Sequence, residues 1–501
     1  MQLINFKKNR GLILALLVLP LSFNSCSKKD ITLEPRQSIS SDKALTTKNT
    51  VQAAVNSVYA GLKDGTLYGR DIVAISDALS DITRATNRSG RLTPENNNNS
   101  RAHLLLWSVA YELINEANLI LEAIPTVADA SAADKTSWEG QLKFLRGLLY
   151  FELVRTYAYI PTAVIAANDK GGVPVKLIGT TSSTLNSYSP KRETTATVYT
   201  QIYADLTSAI SLLDNSLGNG LATKAGARAL FSRVALYKGD WATCVTQSTA
   251  ALAEGVGTLS TSANYVSGWR ASVHPASIFE VKFLTASENI GQNTSLQTSF
   301  TSLVTPGVSC SLGGFGDLVP SAFLLTQLGI TSGAAPICGA VPVPGVIARG
   351  NDVRAQLYEW GAVGRGTPNI ECTKFLGKNG GQINLDNVPV LRISEMYLNR
   401  AEAYYMQGGA ANQVLALADL NTIITNRGIT AVVLVGSAIM DEILRQDMLE
   451  FAFEGHRFFD LKRRGLDIVK SPATIPFNDF RILSFIPTSD VDVNLVQNFG
   501  Y

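Results

Sequence analysis

The sequence predicts a mainly α protein in which tetratricopeptide-like helix pairs pack against a loop-rich region with short strands. Three observations lead there. Apolar residues recur at helical spacing over both ends of the 501-residue chain. An Arg and a Tyr four residues apart recur in three of those segments, with Leu and Ala around them. Between the ends, from about 255 to 389, helical periodicity gives way to Gly, Ser, Thr and Pro.

Length and composition set the frame. The chain is long enough for one large domain or two intimately packed ones. Apolar residues make up 46% and charged residues 17%, which excludes a disordered or fibrous protein. A formal net charge of +2 gives no electrostatic footprint for nucleic acid.

The first segment reads as an export signal over residues 1–25. Lys7, Lys8 and Arg10 precede an apolar run from Gly11 to Phe23, interrupted by Pro20. A membrane-spanning helix needs roughly 20 apolar residues, so a secretory leader fits better. The run ends at Asn24-Ser25-Cys26, which resembles a lipoprotein processing site with Cys26 as the lipidated residue. Phe23 stands where such sites usually carry Leu, and Asn24 is a polar departure. Several acyl chains at about 0.8 kcal/mol per buried CH₂ hold a protein firmly to a membrane. Residues 26–43 are polar and serve as a tether.

The main body is expected over 44–501. Residues 44–62 carry Leu45, Val51, Val55, Val58 and Tyr59 at helical spacing. Residues 103–124 read as a long helix, with Leu106, Tyr111, Ile114, Ala117 and Leu121 on one side and Pro125 as its stop. Helices follow at 136–159, 194–214, 222–238 and 240–254. Short β-like runs such as Ile278 to Val281 mark the middle. Helices return at 390–407, 411–427 and 438–453. This gives a helical scaffold over about 44–254 and 390–465, and a loop-rich region over about 255–389.

The recurring pairs are Arg146 with Tyr150, Arg233 with Tyr237, and Arg400 with Tyr404. Gly239-Asp240 and Gly408-Gly409 then turn the chain into a further helix. A small-residue helix, a tight turn and a partner helix resemble the tetratricopeptide unit of about 34 residues. Such units bury their faces by stacking. The copies are scattered, so they do not form a continuous solenoid.

Motifs of covalent chemistry are missing from the sequence. There is no HExxH, GxSxG or GxxxxGK[ST]. His103, His274 and His456 lie far apart in sequence and are expected in structural roles. Cys244, Cys310, Cys338 and Cys372 form no CxxC pair, so no metal site and no cofactor is expected. Cys244 sits in a helical pattern as a small core residue. Cys310 and Cys338 bracket a Gly-rich stretch in which a disulfide is one option for an exported chain.

The distinctive segments lie near the C-terminus. Val390 to Tyr404 (VLRISEMYLNRAEAY) reads as one amphipathic helix. Leu449 to Arg463 (LEFAFEGHRFFDLKR) follows, with Glu450, Glu454, Arg457 and Asp460 interleaved with Phe. Charges placed among aromatics point to a buried ion-pair network that latches the fold, because unpaired burial is costly. Both segments resemble the SusD/RagB family of outer-membrane nutrient-binding lipoproteins. Asn351-Asp352-Val353-Arg354, Lys374-Phe375, the Trp107 to Asn118 helix and the C-terminal tail from Phe485 also resemble that family, so the likeness covers the mature chain. Gln446-Asp447 departs from it, since Glu-Arg is usual there.

The resemblance implies a SusD-like fold with four tetratricopeptide-like helix pairs. It implies a surface-exposed, lipid-anchored outer-membrane protein that captures an oligosaccharide or peptide. The captured nutrient is passed to a SusC-like TonB-dependent transporter, and no catalytic residue is expected. The alternative is a surface glycan-degrading enzyme on the same scaffold, because paired carboxylates can come from distant segments. Ligand recognition needs flat aromatic faces and polar partners. The candidates are Arg84, Asn87, Arg88 and Arg91, with the run Asn96 to Asn99 beside them, and Trp269, Arg270, Phe315 and Trp360.

Overall fold

Eleven helices of seven or more residues carry the fold of the described residues. The computed structural model describes residues 45–181, 190–377, 382–471, 473–492 and 495–501. The expected leader, Cys26 and the tether lie outside them. In chain order the helices are α1 (Lys48–Gly61), α2 (Asp71–Leu79), α3 (Trp107–Ala123), α4 (Ala132–Tyr157) and α5 (Thr195–Leu212). They continue as α6 (Lys224–Lys238), α7 (Trp241–Ala253), α8 (Ile393–Gln407), α9 (Ala410–Asn426), α10 (Ser437–Phe451) and α11 (Arg457–Arg463). No helix among the described residues is long and apolar enough to cross a membrane.

Local chemistry sets the helix ends. Thr47 and Ser131 close capping boxes at the starts of α1 and α4. Thr194, Thr223 and Asp240 accept backbone hydrogen bonds at the starts of α5, α6 and α7. Gly239 ends α6 at φ +78°, a conformation that favours glycine.

Each recurring arginine ties its helix to another. Arg146 donates to both carboxylate oxygens of Asp205, at 2.9 and 2.6 Å, joining α4 to α5. Arg233 holds Glu395 at 2.5 and 2.7 Å, joining α6 to α8. Arg400 holds Asp419 at 2.7 and 2.8 Å, joining α8 to α9. The planar guanidinium suits such two-point pairing.

Eight short strands pair two by two: β1 (Thr83–Ala85) with β3 (Leu318–Pro320), β2 (Ser277–Val281) with β8 (Val388–Arg392), β4 (Thr331–Ser332) with β5 (Ile347–Ala348), and β6 (Tyr358–Trp360) with β7 (Ile370–Cys372). All four pairs are antiparallel. Residues 388–392 correct the single helix expected from Val390. They are extended and pair with β2, and α8 begins only at Ile393. A partner more than a hundred residues away decides this conformation, and Pro389 within the run disfavours a helix.

The C-terminal charges form the expected latch. Glu450 accepts from Arg427 at 2.7 Å and from Arg392 at 3.0 Å, with Arg354 at 3.7 Å. Glu454 binds Arg392 and Lys374, and Lys374 also donates to the carbonyls of Glu450 and Ala452. Arg457 reaches Asp81, and Asp460 pairs with Arg463. Burial pushes the Glu450 carboxyl up, but the guanidiniums of Arg427, Arg392 and Arg354 outweigh it and hold the group well below its usual range. At the departing positions, Gln446 accepts from Arg354. The neighbouring Asp447 carboxyl is raised well above its usual range by burial and by the charge of Asp460. Lys374 lies two residues beyond β7, so the latch also fixes the strand that carries the candidate site.

Candidate functional site

The candidate site is built around Glu371 on β7, a residue with no exposed surface. Its carboxylate accepts from the Ser302 backbone N–H at 2.6 Å, from the hydroxyls of Ser302 and Thr301, and from Arg88 at 2.7 Å. Burial holds its pKa above the usual carboxylate range, and these hydrogen bonds and Arg88 offset only part of that rise. Two glycines allow the chain to close around it. A Cβ on Gly316 would stand 2.6 Å from Glu371 Oε1, and one on Gly361 would stand 2.2 Å from it. Gly316 also has φ +60°. Phe315 and Trp360 are the chain neighbours of these two glycines.

Pairing of β1 with β3 brings the 84–91 loop against Phe315. Arg88 donates to the Phe315 and Thr367 carbonyls as well as to Glu371. Arg91 binds Asp317 at 3.2 Å and lies 3.9 Å over the Phe315 ring centre. Arg84 donates to Asn369 at 2.5 Å. Burial and the positive charge of Arg88 lower its pKa. Asn87 is exposed at φ +58° and accepts from Thr93. Arg365, in the Gly-rich loop between β6 and β7, lies 4.3 Å over the same Phe315 ring.

Trp360, the last residue of β6, pairs with Ile370 of β7 and lines a cleft of its own. Its indole N–H donates to the Val346 carbonyl at 3.0 Å, which fixes the ring. It lines a cleft of about 410 Å³ with Ser309, Arg349, Glu359 and the 344–347 stretch. Gly345 packs closely on the indole, where a Cβ would stand 2.2 Å away. Cys310 and Cys338 are disulfide-bonded. That bridge ties the 301–315 loop to the β4–β5 hairpin, whose second strand abuts Trp360.

Other candidates lie elsewhere. Trp269 is only 7% exposed. It packs against His274 and Phe375, with Lys374 and Arg392 over its ring. It is a core residue beneath the latch and presents no open face for stacking. Arg270 donates to the Lys374 carbonyl and the Thr373 hydroxyl, and burial lowers its pKa. Asn96 and Asn98 do not form a solvated loop. Their side chains donate to the carbonyls of Ala78, Thr83 and Leu79, and Asn98 is buried. Sequence reasoning missed Arg365, Asp317, Asn369 and Glu371. A lone arginine among glycines at 361–366 was the one available signal.

A second cleft, of about 470 Å³, lies beside α3 and includes Tyr111, Asn115 and Lys176. Its Tyr111 and Asn115 donate to the Pro174 and Thr180 carbonyls, so these two side chains are already engaged. Among the described residues no group of three or more His, Cys, Asp or Glu is placed to hold a metal. His103 and His274 are buried, and burial brings His103 down to about 3.

Comparison with known proteins places the architecture. The family described as starch-binding, associating with outer membrane, matches residues 37–236, and the SusD family matches residues 372–481. A SusD superfamily protein from Bacteroides thetaiotaomicron is 25% identical. Its match covers 90% of this chain and 99% of that one, with a TM-score of 0.76. A structure titled putative sugar binding protein from Bacteroides vulgatus is 22% identical, over 91% and 99%, with a TM-score of 0.73. A SusD-like carbohydrate binding protein from the same species is 19% identical, over 89% and 96%, with a TM-score of 0.73. No curated protein matches the chain. The two family matches and the shared fold show that this chain belongs to the SusD/RagB family.

Proposed function

We propose that this protein is a lipid-anchored outer-membrane receptor that binds an oligosaccharide at the Trp360–Phe315 face. It passes the ligand to a SusC-like TonB-dependent transporter. The observation that supports this most is the fixed indole of Trp360 in an open cleft beside Arg349 and Glu359. Sugar rings stack on flat aromatic faces while charged and amide groups bind hydroxyls. Family membership supports a carbohydrate over a peptide, since one matching family is described as starch-binding. The most buried acid of the face, Glu371, has its oxygens occupied by hydrogen bonds, an arrangement suited to holding loops.

The test is a binding screen in which recovered ligand is analysed for cleavage. Retention of an intact oligosaccharide supports the reading, and release of shorter products overturns it. Anchoring at Cys26 predicts that Cys26→Ala frees the protein from the membrane; unchanged membrane retention contradicts the anchor. Extraction in mild detergent is expected to yield a complex with a TonB-dependent barrel. Isolation alone, under conditions that keep comparable complexes together, contradicts the partnership.

A further inference from the structure

We infer that the cluster at Phe315 is a subsite for an acidic group, a carboxylate or a sulfate, carried on the bound oligosaccharide. This rests on the glycan-binding reading above and deepens it.

The argument begins with charge. Arg84, Arg88, Arg91 and Arg365 converge here, and the carboxylates that meet them are Glu371 and Asp317. Neither Arg84 nor Arg365 has a carboxylate within 4.0 Å among the described residues. Phe315 gathers two of the guanidiniums, Arg91 at 3.9 Å and Arg365 at 4.3 Å. Attraction between each cation and the ring face offsets their mutual repulsion. A ring so occupied is a poor stacking surface for sugar and a good mount for cations.

Hydrogen bonding points the same way. Arg91 Nη2 and Arg365 Nε are buried and have no partner among the described residues. Buried donors without partners are uncommon and costly. Asp317 is already engaged by Ser89 and Arg91, and Glu371 by Arg88 and Ser302. An oxyanion bound against Arg91 and Arg365 would answer both guanidiniums, which bind carboxylates and sulfates through charge-assisted hydrogen bonds.

The experiment compares three oligosaccharides of one backbone, neutral, uronate-bearing and sulfated, by calorimetry on the full chain. The readout is the ratio of acidic to neutral affinity. We expect a ratio of at least about tenfold, the worth of one charge-assisted contact, falling toward one in Arg365→Gln and largely kept in Arg365→Lys. Preference for uronate alone or for both acids supports the subsite and identifies the group. Equal affinity for acidic and neutral forms overturns the subsite alone. So does an unchanged ratio in Arg365→Gln. Binding of acidic peptides with no binding of any glycan overturns both this inference and the glycan reading.

Discussion

The C-terminal latch and the Phe315 face are both assemblies of arginine and carboxylate, and they differ in how completely their charges are answered. In the latch, Arg354, Arg392, Arg427 and Lys374 each have a carboxylate within hydrogen-bond reach. The groups lie in the core. On the loop face, among the described residues, Arg84 and Arg365 have none, and two buried guanidinium nitrogens lack hydrogen-bond partners; in the latch only Arg354 Nη1 does, and it lies 3.7 Å from Glu450. A closed set of charges holds a fold together, because breaking any member strands a buried ion. An open set on a fixed frame is suited to a ligand. The latch serves the face as well, since Lys374 holds the chain just beyond Glu371.

The largest expected effect breaks the latch. Glu450→Gln leaves the buried Arg427 without a carboxylate, while Arg392 keeps Glu454 and Arg354 keeps Asp352, and is predicted to cost about 3–5 kcal/mol in denaturant unfolding. A loss below about 1 kcal/mol contradicts the latch. Acid makes the same test without mutation. The Glu450 carboxyl is depressed in the fold, so its contribution is complete above its ordinary value of 4.5 and is lost as pH falls through the lower folded value. Melting temperature is expected to drop as pH falls below about 5, and less steeply in Glu450→Gln than in the parent chain.

Next comes the disulfide. It closes a 28-residue separation, which in the chain-entropy picture is worth roughly 3.5 kcal/mol. Replacing both Cys310 and Cys338 with Ser is expected to loosen the hairpin beside Trp360 and weaken ligand binding, with the helical scaffold still folded by circular dichroism. Unaltered affinity separates the hairpin from the site.

The helices were legible because they obey local rules. Nine of the expected segments correspond to helices here, with ends set by caps, Gly239 and Pro125. Helix α2 was not, because all nine of its residues are buried. A helix enclosed on every side has no polar face to create a period. The strand Val388–Arg392 was misread because its partner lies far away in sequence. The latch residues stood out through spacing, whereas their partners Arg354, Lys374 and Arg427 are separated from them by up to about a hundred residues. Among the candidate residues, Arg84, Arg88, Arg91, Phe315 and Trp360 are singled out by residue type alone. Glu371, which organises them, looked like any strand residue. Trp269 shows the limit of residue type, since an indole marks a core as readily as a sugar platform.

The central claim is that the Trp360–Phe315 face binds glycan without chemistry. Titration of a bound oligosaccharide into the parent chain and Trp360→Ala tests it most directly. Loss of the stacking surface is expected to weaken binding by about 1–2 kcal/mol, roughly tenfold, with unfolding free energy nearly unchanged and the ligand recovered intact. Affinity equal to the parent, or a ligand recovered in pieces, contradicts the account.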